Sequence, residues 1–129
     1  MDLGQHRAEL NEVTEKIIGC VYRVSNTLGA GFLEKVYENA LAIELEQSGL
    51  KVTQQPAIKV LYKGQIVGDF AADLLVEGRV IVELKSARTL DEVHAAQCVN
   101  YLKAADLKVC LLVNFGRSRA VIKRILRDY

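Results

Sequence analysis

Apolar positions recur along this chain with two different periods, and the change of period divides it into elements. Val13, Ile17, Val21, Val24 and Leu28 repeat at helical spacing, which predicts a helix over residues 11–28 stopped by Gly29. After Leu28-Gly29-Ala30-Gly31 a second helix is expected over 33–48, with Gly49 at its C-terminal end. The pattern then changes to β-branched and apolar runs. Residues 51–62 read as a strand interrupted by Pro56, the only proline, which suits an edge or a bend rather than a central strand. Lys63-Gly64 turns the chain into a second run, 65–76, interrupted by Gly68. Two apolar runs flanking Glu77-Gly78-Arg79 read as a β-hairpin. A third helix is expected over 90–105, with Thr89 as N-cap and Asp91 and Glu92 in its first turn. Residues 109–115 (VCLLVNF) form a continuous apolar run, as expected for a strand buried on both faces, and 120–126 is assigned to an edge strand. The order helix, helix, three strands, helix, strand, strand gives an α/β (α+β) domain around a mixed sheet flanked by helices.

Into the buried-looking hairpin are set Asp73, Glu83 and Lys85. Glu83 and Lys85, two apart on a strand, leave one face while Val82 and Leu84 leave the other. Asp73 joins them only in one register. If 77–79 form a three-residue loop, with Gly78 or a neighbour at positive φ, Val76 pairs Val80 and Asp73 lies opposite Glu83; a two-residue loop places Asp73 on the wrong face. Asp69 is a competing candidate ranked below it, because 69, 71 and 73 share a face of an unbulged strand.

Two carboxylates facing each other across a strand pair are destabilising unless something positive lies between them. A hard divalent cation fits that position, since Mg2+ or Mn2+ is held by one or two carboxylates with water and phosphate oxygens. Lys85 adds a charge that can stabilise a developing oxyanion. The plain alternative is an exposed hairpin face carrying three ordinary charges, and the Leu-Leu-Val and Val-Ile-Val runs around them argue against it.

Composition narrows the class further. The 129 residues, 50% hydrophobic and 26% charged, are expected to form one domain, 1–129, of ordinary globular type. Apolar runs are too short for a membrane span and the N-terminus lacks a signal-peptide pattern, so a cytoplasmic protein with no membrane partner is expected. Cys20, Cys98 and Cys110 have no CxxC spacing and read as buried reduced thiols. Net charge is +1, but Lys108, Arg117, Arg119, Lys123, Arg124 and Arg127 give the C-terminal part a basic bias that a phosphate backbone could use.

Asp73 followed by Glu83-Leu84-Lys85 resembles the D…(D/E)xK signature of the restriction-endonuclease-like, or PD-(D/E)xK, nuclease superfamily. The chain resembles more narrowly its GxxExxY group through Gly31, Glu34 and Tyr37, and the likeness runs from about residue 28 to the C-terminus. The resemblance implies a restriction-endonuclease-like core and a metal-dependent nuclease. Asp73 and Glu83 would bind Mg2+ or Mn2+, Lys85 would assist the attacking water, and Glu34 would be a further acid near the metal. Tyr37 reads as a packing residue and Gly31 as the turn into the helix. His94, Gln97 and Tyr101 share one stripe of the third helix; Gln97-x3-Tyr101 is similar to the QxxxY element that contacts nucleic acid in the exonuclease-type branch, with His94 in second rank. Ala71 departs from the larger polar residue expected just before the Ala-Asp pair. Nucleic acid, DNA ahead of RNA, and a divalent metal are the implied partners, with a homo-oligomer left open. A catalytically inactive nucleic-acid-binding or protein-interaction module on the same fold is the alternative.

Overall fold

The computed structural model describes residues 3–127. Helix α1 (Leu3–Leu28) is followed by α2 (Glu34–Gln47). The first helix begins a full two turns before the expected residue 11, and Leu10, buried, extends its apolar stripe in that direction. Five strands come next: β1 (Val52–Gln54), β2 (Ala57–Tyr62), β3 (Gln65–Ala71), β4 (Leu74–Val76) and β5 (Val80–Lys85). Helix α3 (Glu92–Ala105), β6 (Val109–Asn114) and β7 (Val121–Leu126) complete the order.

The main sheet has the order β1-β4-β5-β6-β7, with β5 and β6 parallel and the other pairs antiparallel. It is therefore mixed, as the alternation of helices and strands implies, and α3 is the crossover between its two parallel strands. Both central strands are buried almost throughout. β7 lies at the edge, as assigned from sequence.

Each of the two long strands expected at 51–62 and 65–76 is broken in two. The breaks face each other: Gln55 adopts φ 54° ahead of Pro56, and 72–73 separates β3 from β4. Gln55 N–H still donates to Asp73 C=O (2.8 Å) and Ala72 N–H to Pro56 C=O (3.2 Å), so one ribbon continues through a kink. Its inner half, β1 and β4, belongs to the main sheet, and its outer half, β2 and β3, forms a separate two-stranded arm.

The two sheet faces carry separate cores. Val80, Val82, Leu84, Leu111 and Val113 pack with Ile17, Val21, Leu41 and Leu45 of α1 and α2. Ile81, Cys110 and Leu112 pack on the opposite face with Cys98, Tyr101 and Leu102 of α3 and with Ile58 of the arm. All three cysteines are buried and free. Among the described residues no helix is long and apolar enough to cross a membrane.

Candidate functional site

The hairpin turn sets the register on which the site depends. Arg79 N–H donates to Val76 C=O (3.0 Å), Glu77 and Gly78 both take positive φ, and Val76 pairs Val80. The β4–β5 ladder ends at Leu74↔Val82, and the next step along it is Asp73 against Glu83.

At that step side chains replace the missing main-chain partners. Leu84 N–H, which has run past the end of β4, donates to Asp73 Oδ2 at 2.7 Å. In return Asp73 N–H donates to Glu83 Oε1 at 2.8 Å. The kink that sends β3 away from the sheet thus opens two backbone donors, and two carboxylates close them.

The exchange crowds negative charge into a buried place. Glu83 is 4% exposed. Burial, and then the charge of Asp73, push its carboxyl up to about 7, against the pull of the Asp73 N–H and Lys85. Burial also raises Asp73, although the Leu84 N–H opposes it. Lys85 leaves the same strand face as Glu83, and its charge favours the ionised form of both acids.

Helix α2 brings two more acids to this end of the sheet. Glu34, exposed at its first turn, accepts from Ser86 N–H (3.3 Å), just beyond Lys85, and its charge reaches Glu83. One turn later Glu38 is 3% exposed and accepts from Lys35 Nζ (2.9 Å), Gln54 Nε2 (2.7 Å) and Gln55 Nε2 (2.7 Å). Burial lifts its carboxyl, but these hydrogen bonds outweigh burial and hold it below the usual range. The Gln55 amide also reaches Asp73 Oδ1 (3.4 Å) and so links the two acids. Glu38 and Gln55 are not among the candidates the sequence singles out; the i, i+4 spacing from Glu34 places Glu38 on the same helix face, and Gln55 carries no such signal.

The loops after β5 and β6 are clamped together. Asn114, buried, donates from Nδ2 to Ala87 C=O (2.8 Å), while its Oδ1 accepts from Ala87 N–H (3.0 Å) and Gly116 N–H (2.9 Å). A Cβ at Gly116 would fall on the Ala87 backbone. Tyr37 packs as expected: fully buried, it stacks on Phe115 (4.5 Å, 4°), donates to Gly29 C=O (2.6 Å) and accepts from Phe32 N–H (3.2 Å). Gly31 takes φ 116°, which a residue with Cβ adopts only under strain.

The α3 stripe divides. Tyr101 is nearly buried, and its hydroxyl is raised by burial and then by the charges of Glu83 and Asp73, so it borders the acids. Gln97 lies half-buried one turn earlier. His94 is engaged at the helix start: Asp91, not Thr89, is the N-cap, accepting from Val93 and His94 N–H (3.0 and 3.3 Å), while His94 Nδ1 accepts from Asp91 N–H (3.2 Å). A carboxylate and a ring that satisfy the first-turn donors reciprocally outcompete a hydroxyl two residues upstream. Asp69 pairs Lys59 in the arm and is exposed, outside the acid group. The basic residues are also separated, because β7 runs back from Val121, beside Asn114, to Leu126, beside Val109. Arg124 bonds Asn11 (2.6 Å) and Arg127 bonds Asp106 (2.9 Å).

Among the described residues no group of three or more His, Cys, Asp or Glu side chains is placed to hold a metal by itself. The donor chemistry of the pair still fits a hard divalent cation, which needs only one or two carboxylates and takes its remaining oxygens from water and phosphate.

A sequence profile described as the PD-(D/E)XK nuclease superfamily matches residues 11–125. No curated protein matches the sequence. The fold is similar to that of the protein SSO0001, with TM-score 0.58 and 16% identity over 74% of this chain and 50% of that one; this chain thus spans half its length. It is also similar to an alkaline exonuclease (LHK-Exo) from Laribacter hongkongensis, with TM-score 0.51 and 14% identity over 89% of this chain and 82% of the other. The same enzyme in complex with dAMP matches with TM-score 0.51 and 13% identity over 89% and 83%. At these identities the likeness to the solved structures is one of fold.

Proposed function

Because the chain belongs to the PD-(D/E)XK nuclease superfamily, we propose that it hydrolyses phosphodiester bonds of nucleic acid at Asp73 and Glu83. The observation that carries this reading is the reciprocal exchange between the two acids and the backbone, which holds both carboxylates at one strand end beside Lys85. A fold seeking only stability would not gather buried negative charge there.

Asp73 and Glu83 are the residues that would hold Mg2+ or Mn2+, and the bound ion would supply charge to the phosphoryl oxygens and a more acidic water. The remaining roles belong to the chain itself. Leu84 N–H and Asp73 N–H fix the two carboxylates, so that little reorganisation is needed during reaction. Lys85 offsets charge developing on the phosphate. Gln55, held by Glu38, keeps Asp73 oriented, and Glu34 supplies a further acid at the Ser86 side. Tyr101 and Gln97 form the α3 wall against which the nucleic acid would lie. The narrower kinship with the GxxExxY group is supported by the work Gly31, Glu34 and Tyr37 do together: a positive-φ turn, an acid at the site and a ring that ties the turn down.

The test is cleavage of single-stranded and duplex DNA and RNA in Mg2+ and Mn2+, with Asp73→Ala as control. Cleavage that Asp73→Ala abolishes is expected. No cleavage of any substrate together with salt-sensitive binding would establish the inactive binding module instead.

A further inference from the structure

The chain has three phenylalanines. Phe115 is 1% exposed and stacked on Tyr37 inside the core, whereas Phe32 is 48% and Phe70 39% exposed. A phenyl ring has no polar group that gains from water, so leaving two partly exposed, Phe32 edge-on to Tyr37 and Phe70 against Tyr101, forgoes burial that a core position would give.

Each exposed ring is tied to a residue near the acids, Phe32 through the end of β5 and Phe70 through Tyr101. Phe32 is in the α1–α2 loop two residues before Glu34; its C=O accepts from Ser86 Oγ (3.2 Å), which anchors it next to the end of β5. Phe70 lies three residues before Asp73, at the end of the arm, with its ring 5.9 Å from that of Tyr101. Tyr101 in turn feels the charges of Glu83 and Asp73. Phe32 is thus linked through Ser86 to the Glu34 side of the pair, and Phe70 through Tyr101 to the α3 side.

Charge on the same rim suits a phosphate chain. Arg88 and Arg117, both exposed, follow the ends of β5 and β6, and Arg117 Nη1 donates to Arg88 C=O (3.3 Å), which holds the two loops together. Between the rings, Glu83 is recessed, so a phosphate must be drawn inward while its neighbouring bases remain at the rim. An unpaired strand can bend its backbone and splay its bases in that way, and each base then offers a face for stacking on an aromatic ring. A duplex would first have to unstack.

We propose that the site is specific for unpaired nucleic acid, with Phe32 and Phe70 as stacking platforms for the bases on either side of the phosphate bound at Asp73 and Glu83. This rests on the nuclease reading and adds the strandedness of the substrate. The experiment is equilibrium binding, in Mg2+, of phosphorothioate-linked oligonucleotides containing 2-aminopurine, single-stranded and as a blunt duplex of the same sequence. The single strand is expected to bind more tightly, with its 2-aminopurine emission quenched on binding. Phe32→Ala should weaken single-strand binding about five- to hundredfold and relieve the quenching, with little change for the duplex. Phe32→Trp should restore both. Phe70→Leu, checked for folding by thermal melting, should act in the same direction. Tighter binding of the duplex, or equal losses on both substrates, would overturn the inference and leave the nuclease reading standing. Absence of binding to either form would overturn both.

Discussion

Glu83 places a carboxyl where burial and a second acid both oppose its charge. Burial, and then the charge of Asp73, push that carboxyl up to about 7, and stability therefore depends on pH with a definite sign. Between about 4.5 and 7 the folded protein holds a proton that the unfolded chain has released, so this group's contribution is full at acid pH and is lost as pH rises through 7. The loss is on the order of 3 kcal/mol in the metal-free protein. Glu83→Gln removes it: in chelator the variant should melt close to wild type at pH 5 and about 10 °C above it at pH 8. A variant that melts below wild type at pH 8 would mean that Glu83 and Lys85 act as a stabilising ion pair. Lys85 itself is a cation and cannot be a ligand. Lys85→Ala should abolish cleavage in a gel assay while calorimetry shows metal affinity largely intact, and a loss equal to that of Glu83→Ala would contradict its role.

Among the elements, the kinked ribbon decides where the acids stand. Had the ribbon stayed flat, β3 would have continued along β5, Leu84 N–H would have met a backbone carbonyl, and Asp73 would have had no donor to capture. The kink arises where Gln55 takes φ 54° beside a residue with no N–H, and Asp73 is the residue left at the fork. At the opposite side of β5 the constraint is a close approach. Asn114 bonds both main-chain groups of Ala87, and Gly116 lies so near Ala87 that any side chain would collide with it. Gly116→Ala should therefore displace the loop after Lys85 and lower stability by about 1–3 kcal/mol, read as a fall in urea midpoint. An unchanged midpoint would show that the two loops are free to separate.

At the scale of the whole molecule, helices α1 and α2 cover one face of the sheet, α3 and the arm the other, and the acids lie where α2, the arm and α3 meet the end of β5. A cation bound there would tie these parts together only in the folded state. At a free concentration one hundred times its dissociation constant it should add about 2.7 kcal/mol, a rise of about 10 °C in melting temperature for a chain of this size. Glu83→Gln should lose most of that rise, and equal rises in the two proteins would show that Glu83 is not a ligand. The sequence by itself determined that three helices form and that Glu83 and Lys85 share a face, because side-chain direction along a helix or strand is a local, periodic property; it left the hairpin register open between a three-residue and a two-residue loop. Asp73 stands opposite Glu83 because the structure takes the three-residue loop, with Val76 paired to Val80. Only the tertiary structure decided that 51–62 and 65–76 would each split and that Glu38 and Gln55 would join the site, whereas the Asp91 cap of α3 is made within one turn of the chain. The reason is that Glu38, read along the chain, is an ordinary helical acid with Lys35 one turn away; its burial depends on glutamines sixteen and seventeen residues on. Local pattern reports which way a side chain leaves its own element, and what it then meets is set by how elements distant in sequence pack.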